Sequence, residues 1–248
     1  MNAIASQCRY EILRTLRNRR FIVMSVLTPI MFYFIFTAVV GNEMLVDGIE
    51  WKAYYLISAT AFGIIGTNLM TLGVRFAQER TQGWVRMLRI APASQTGYVL
   101  SKMLSQSLIN LSTILVMFLI GGLAKGIHLS FFQWAGCALW IWIGAIPFMG
   151  LGILAGTLKS AEIVQVVTTI LYMGLSILGG LWMPLAIMPE AVRKLAVYLP
   201  SFHFGHGAWN VLGSGGFDWS DAVNLVGYAF LFMILSIYIL TRQEARQA

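Results

Sequence analysis

Long apolar runs alternate with short polar connections along the whole chain. The runs fall at about 21–40, 53–74, 100–123, 132–156, 163–183 and 222–241, each near the ~20 residues that a helix needs to cross a hydrocarbon core. The pattern predicts six transmembrane helices in an all-α integral membrane protein, with residues 1–248 forming a single transmembrane domain. Ahead of the first run, Ile4, Cys8, Ile12, Leu13 and Leu16 recur at helical spacing among Arg9, Arg14, Arg17, Arg19 and Arg20. Residues 1–20 therefore read as an amphipathic helix lying in the membrane interface, with its apolar face in the bilayer and its arginines near anionic lipid. The following stretch, Phe21–Val40, is too long for an ordinary signal-peptide core, and no convincing small-residue cleavage site follows it.

The connections carry the orientation. Glu43, Asp47 and Glu50 occupy the first and Arg75, Arg80, Arg86, Arg89 and Lys102 the second. Lys125 and His128 mark the third, Lys159 and Glu162 the fourth, and a long fifth, from Pro184 to Asp221, holds Arg193 and Lys194. Placing both termini on one side collects thirteen of the 17 Lys and Arg residues there and leaves four opposite, so both ends are expected to be cytoplasmic. Trp51, Tyr54 and Tyr55, then Phe131, Phe132 and Trp134, then Trp182 read as interfacial aromatic belts. The fifth connection is interrupted by Pro184, Pro189 and Pro200.

Composition narrows the function. Of 248 residues 58% are apolar and only 11% charged, with a mean hydropathy of +0.75, which excludes a soluble enzyme or a secreted disulfide scaffold. The net charge of +7 reports topology and attraction to membrane lipid, so no nucleic-acid partner is expected. Cys8 and Cys137 fall at different depths and are not expected to pair.

Candidate chemistry is sparse. No phosphate-binding GxxxxGK[ST], HExxH or GxSxG motif occurs, so the chain is expected to be no enzyme and to bind no cofactor itself. His203 and His206 with Glu190 could be imagined as a metal site, but His-x-x-His spacing is common by chance and no metal is expected. The spans offer no buried titratable pair that an ion gradient could drive. Their polar residues are Asn68 in the second span, Gln106, Asn110 and Thr113 on one face of the third, and Gln165, Thr169 and Tyr172 in the fifth. Two readings stand for them: hydrogen bonding between helices, or the lining of a transport path. Gly152 and Gly156 form a GxxxG in the fourth run, a sign of close helix packing.

The second connection is the most informative segment. Ala77–Ile90 can form a short amphipathic helix, with Trp84 and Leu88 on one face and Glu79, Arg86 and Arg89 around the others, stopped by Pro92. Either it rests on lipid, or it takes a push from another protein and converts it into a tilt of the flanking spans.

These residues give the chain a recognisable outline. Glu79-Arg80, Gly83, Arg86, Leu88, Arg89 and Pro92-Ala93-Ser94, followed by Lys102, resemble the loop after the second span in ABC-2 permeases, the six-helix membrane subunits of bacterial ABC exporters. Trp84 follows the glycine where a smaller residue is usual. Gly179-Gly180, Pro184, Met188-Pro189 and Leu199-Pro200 match a second motif of that family, and Arg17-Asn18-Arg19-Arg20 before a span containing Pro29 fits as well. The resemblance implies a permease in a bacterial cell membrane that pairs with a second permease, identical or not. It implies a separate ABC ATP-binding subunit that carries ATP and Mg and docks on Glu79, Arg80, Gly83, Trp84, Arg86, Leu88, Arg89 and Pro92 as a cytoplasmic coupling helix. It also implies short re-entrant helices between the fifth and sixth spans, and outward movement of a drug, antibiotic or lipid. Haem, polysaccharide or an ion remain alternative cargoes, and a lipid-sensing scaffold without an ATPase is the alternative of another class.

Overall fold

Where the apolar runs are long, the backbone must satisfy its own hydrogen bonds, and the fold is accordingly helical. The computed structural model describes residues 9–14, 17, 19–41, 44–82, 95–213 and 215–245. Its elements are α1 (Arg19–Val40), a hairpin of β1 (Leu45–Val46) and β2 (Ile49–Glu50), α2 (Trp51–Gly66), a π-helical segment (Thr67–Leu72) and α3 (Gly73–Thr81). Then come α4 (Gln95–Lys125), α5 (Phe131–Gly144), α6 (Ile146–Ala155), α7 (Ala161–Leu178), a 3₁₀ turn (Leu185–Ile187), α8 (Glu190–Ala196), α9 (Pro200–Leu212) and α10 (Trp219–Ala245). Residues 9–14 are also helical.

Among the described residues, five helical stretches are long and apolar enough to cross a membrane: Trp51–Thr81, Gly97–Lys125, Phe131–Ala155, Ala161–Leu178 and Trp219–Gln243. The apolar part of α1, Ser25–Val40, is shorter. Residues 9–14 and Gln243 lie at one end of the bundle, the terminal end, where Lys102 bonds Glu11 and Arg80 bonds Gln243. The hairpin marks the other end, the hairpin end.

Several boundaries differ from the sequence reading, each for a physical reason. The second run does not stop near residue 74. α2, the π-helical segment and α3 form one 31-residue stretch ending at Thr81, because Glu79 and Arg80 find partners on other elements. Ala77–Thr81 therefore continues a span and does not open a separate coupling helix. The fourth run is divided at Ala145, just before Pro147, whose ring cannot supply the N–H that a continuous helix needs. Trp51, Tyr54 and Tyr55 are not a lipid-facing belt. They are buried to 4% exposure or less and stack on one another and on Phe36 and Trp209. Phe131 and Phe132, by contrast, are largely exposed at the start of α5, as a belt requires.

The fifth connection is folded into the 3₁₀ turn and the short helices α8 and α9. α9 packs against α5, α10 and α2, and its backbone is tied to α5 at regular intervals. Trp140 Nε1 donates to the Phe204 carbonyl at 3.0 Å, the Cys137 thiol to Ala208 at 3.5 Å, and Gln133 Nε2 to Leu212 at 2.7 Å. Donors spaced three and four apart on α5 thus meet carbonyls spaced four apart on α9, one helical face against another. Cys137 is free and buried.

At the core, the GxxxG of α6 lies against the second span. A Cβ on Gly152 would sit 2.1 Å from the Asn68 carbonyl oxygen, and one on Gly156 would sit 2.9 Å from that of Gly73. The motif lets two helices of the same chain touch backbone to backbone.

Candidate functional site

The terminal end is organised by two adjacent residues at the end of α3. Neighbours in a helix project about 100° apart, so Glu79 and Arg80 reach different elements. Glu79 is 5% exposed. Its Oε1 accepts from Lys102 Nζ of α4 at 2.7 Å and from Arg14 Nη1 of the N-terminal helical stretch at 2.8 Å. Its Oε2 accepts from the Tyr98 hydroxyl. Lys102, 3% exposed, also donates to Glu11 at 2.5 Å. Two carboxylates and two cations thereby join the N-terminal helix, the second span and the third, and satisfy charges that would be costly to bury singly.

Arg80 reaches the opposite way. Its Nη1 donates to Gln243 Oε1 at the end of α10 at 2.6 Å, and its Nη2 to the Leu158 carbonyl between α6 and α7. Gln243 in turn donates to the Thr157 carbonyl at 3.0 Å. The remaining coupling candidates, Gly83, Trp84, Arg86, Leu88, Arg89 and Pro92, lie outside the described residues.

The path candidates separate into groups. Gln106, Asn110 and Thr113 share a buried face of α4, as their spacing predicts, with Gln106 Nε2 donating to Asn110 Oδ1 at 3.3 Å. Asn68 is fully buried in the π-helical segment and donates to the Ala145 carbonyl at 3.3 Å. Among the described residues, Asn68 Oδ1 and Asn110 Nδ2 have no hydrogen-bond partner. On α7 the expected common face divides: Tyr172 is buried and stacked on Phe62, whereas the Gln165 side chain points outward and donates to the Thr169 hydroxyl at 3.4 Å. None of these residues lines an apolar groove of about 880 Å³ between α5, α9 and α10 that includes Leu139, Ile143, Phe217, Leu225 and Val226.

Two expectations about titratable groups are corrected. The bundle does contain buried ionisable pairs, Glu79 with Lys102 at one end and His203 with Asp221 at the other. Their members come from different parts of the chain, so no local pattern announces them. His203 and His206 also do not turn to Glu190, which pairs with Lys194 at 2.7 Å. They meet Asp221 of α10 instead: His203 Nδ1 lies 2.7 Å from Oδ1 and His206 Nδ1 2.7 Å from Oδ2. The hydrogen bond to Asp221 raises the His206 pKa above the ordinary imidazole value, with Asp218 and Asp47 adding to the effect against desolvation.

Comparison with known proteins bears on this arrangement directly. The sequence profile described as ABC-2 family transporter protein matches residues 47–241, most of the chain. The chain belongs to the ABC-2 permease family. A protein of Bacillus subtilis (strain 168) that bears the name transport permease YvfS is 42% identical over 245 residues, covering 99% of this chain and 100% of that protein. As an ABC-2 permease the chain is a multi-pass membrane transport protein, and the Glu79-Arg80 pair that opened the family resemblance is the pair that gathers the terminal ends of the bundle.

Proposed function

We propose that this ABC-2 permease is the membrane half of an ATP-driven exporter, with both termini cytoplasmic, acting as a dimer with a second permease and coupled to a separate ATP-binding subunit. The observation that carries the reading is the Glu79-Arg80 junction. The segment 83–94 leaves α3 immediately after it, and α4 begins at Gln95. A partner pressing on that segment would move Glu79 and Arg80, and with them Lys102, Arg14, Leu158 and Gln243. Three membrane helices, the α6–α7 connection and the N-terminal helical stretch would then respond together. Gly83, Trp84, Arg86, Leu88, Arg89 and Pro92 supply the docking surface in this reading, and ATP and Mg stay on the partner.

An amphipathic or hydrophobic cargo suits the walls available. Those walls are the apolar groove beside α10 and the buried amides of Asn68, Gln106 and Asn110, two of which keep a polar atom with no partner among the described residues. Gln165, Thr169 and Tyr172 complete the candidate path set, with Gln165 on an outward face where a second permease would meet it.

The test is an export assay on the co-expressed complex. The chain alone in nanodiscs should hydrolyse no ATP and should co-purify with an ATP-binding subunit when both are expressed. Arg86→Ala should leave insertion and dimerisation intact while abolishing ATP-dependent efflux. ATP turnover by the isolated chain, or full efflux by the Arg86 variant, would overturn the reading.

A further inference from the structure

The hairpin end carries a cluster of metal-ligating side chains that transport coupling does not use. His206 lies on α9, Asp221 in the first turn of α10, and Asp218 in the short linker just before it. One potential ligand atom from each falls within 4.8 Å of the other two. Asp221 is 2% exposed, while His206 and Asp218 are partly open to solvent. Behind them the buried His203 holds Asp221 Oδ1 at 2.7 Å, fixing the carboxylate so that Oδ2 faces His206.

We propose that His206, Asp218 and Asp221 form a binding site for a divalent transition-metal ion, with His203 as the positioning residue for Asp221. The donor set is one imidazole nitrogen and carboxylate oxygens, which favours zinc or a neighbouring first-row ion over calcium or magnesium, whose sites are built from oxygen alone. Bonds of ~2.0–2.2 Å in a tetrahedral site place ligand atoms about 3.3 Å apart. The cluster must therefore contract by roughly 1.5 Å at its widest, and Asp218, on an irregular linker, can supply the movement. Charge favours a cation as well. Among the described residues no lysine or arginine pairs with Asp218 or Asp221, and Asp47 adds a third carboxylate to the field at His206. His203, hydrogen-bonded to the Asp221 carboxylate from behind, is the kind of outer support that metal sites generally carry.

The three ligands also span two elements. An ion here would clip α9 to the start of α10 and the linker between them, so binding should stabilise the folded chain by mass action.

The test uses the full chain in nanodiscs, stripped with chelator and titrated with Zn²⁺ alone, with bound metal read by elemental analysis and stability by thermal unfolding. About one Zn²⁺ per chain and a rise in Tm are expected. Asp218→Asn is the informative variant, because the Asp218 side chain accepts from the Ser220 N–H at 2.8 Å and asparagine caps a helix start as well as aspartate. It should keep the metal-free Tm and lose affinity by ~100-fold or more, whereas His203→Gln should lose ~10–100-fold. His128→Gln should change nothing. No zinc binding, or an affinity unchanged by both Asp218→Asn and His206→Gln, would overturn the proposal.

Discussion

Substituting Gly152 with alanine adds one methyl group where α6 crosses the π-helical segment backbone to backbone. The new Cβ would stand 2.1 Å from the Asn68 carbonyl oxygen and 3.1 Å from its carbon, both backbone atoms that cannot rotate away. Ordinary carbon contacts lie near ~3.5 Å, so α6 and the π-helical segment would have to separate by roughly 1 Å or more. Neither helix is free to move. α6 packs heavily on α10 as well, and the Asn68 side chain is bonded to the Ala145 carbonyl beside the start of α6. Overpacking typically costs ~1–3 kcal/mol, and a clash against backbone belongs at the upper end, about 3 kcal/mol. For a chain of this size that corresponds to a fall in Tm of about 6–12 °C. The matched control is Gly174→Ala, where a Cβ meets nothing within 4 Å. In a helix interior that change should be neutral or stabilising by roughly 0.5–1 kcal/mol. Thermal unfolding of the two variants in identical nanodiscs checks the pair. Equal melting temperatures would mean that the second and fourth spans do not cross at Gly152 and would refute the packing argument.

At the terminal end, Glu79→Ala should destabilise the chain by about 3 kcal/mol, the low end for breaking a buried pair, because Glu11 still faces Lys102. Combining it with Lys102→Met should recover part of that loss, and a double-mutant cycle by chemical denaturation with no coupling would contradict the network. For orientation, cysteines are introduced singly in a chain with Cys8 and Cys137 replaced. A membrane-impermeant thiol reagent applied to intact cells should label Asp47→Cys and Gly216→Cys but not Lys159→Cys or Arg242→Cys, all four being exposed positions. Labelling of position 242 from outside would reverse the proposed topology.

Much of the helical framework was legible because period and length are local properties. Each of the six apolar runs falls on helix, five of them on stretches long and apolar enough to cross a membrane, and Gly152-x-x-x-Gly156 marks a close packing point. What escaped depends on distant partners or was overlooked. Glu79 and Lys102 are 23 residues apart, and Arg80 meets Gln243 across 163 residues. In sequence their charges resemble a solvated loop, so the second span looks shorter than it is. The His203 and His206 partners come from beyond a chain reversal, 18 and 15 residues on, whereas the upstream Glu190 turned out to serve Lys194 within α8. The hairpin is different, since its signal was present. Asp47-Gly48 between Leu45-Val46 and Ile49-Glu50 is a strong hairpin dipeptide, and both residues adopt positive φ, 51° and 80°. The π-helical turn at Thr67–Leu72 has no comparable local cue.

The two charged clusters differ in what each can transmit. At the terminal end, Glu79 and Arg80 are consecutive, so any rotation or axial shift of α3 displaces both sets of partners at once. Glu79 would carry α4 and the N-terminal stretch, while Arg80 would carry α10 and the α6–α7 connection. The bonds are short and the carboxylate is almost wholly out of water, so they are screened less by salt than a surface pair would be. At the hairpin end, the Asp221 cluster joins only α9 and α10, and α9 is already tied to α5 through Trp140, Cys137 and Gln133. In the proposed exporter, movement enters through the densely linked terminal end. The hairpin end can then open between α9 with its α5 support and helices such as α1 and α7, to which α9 makes no side-chain hydrogen bond or ion pair among the described residues.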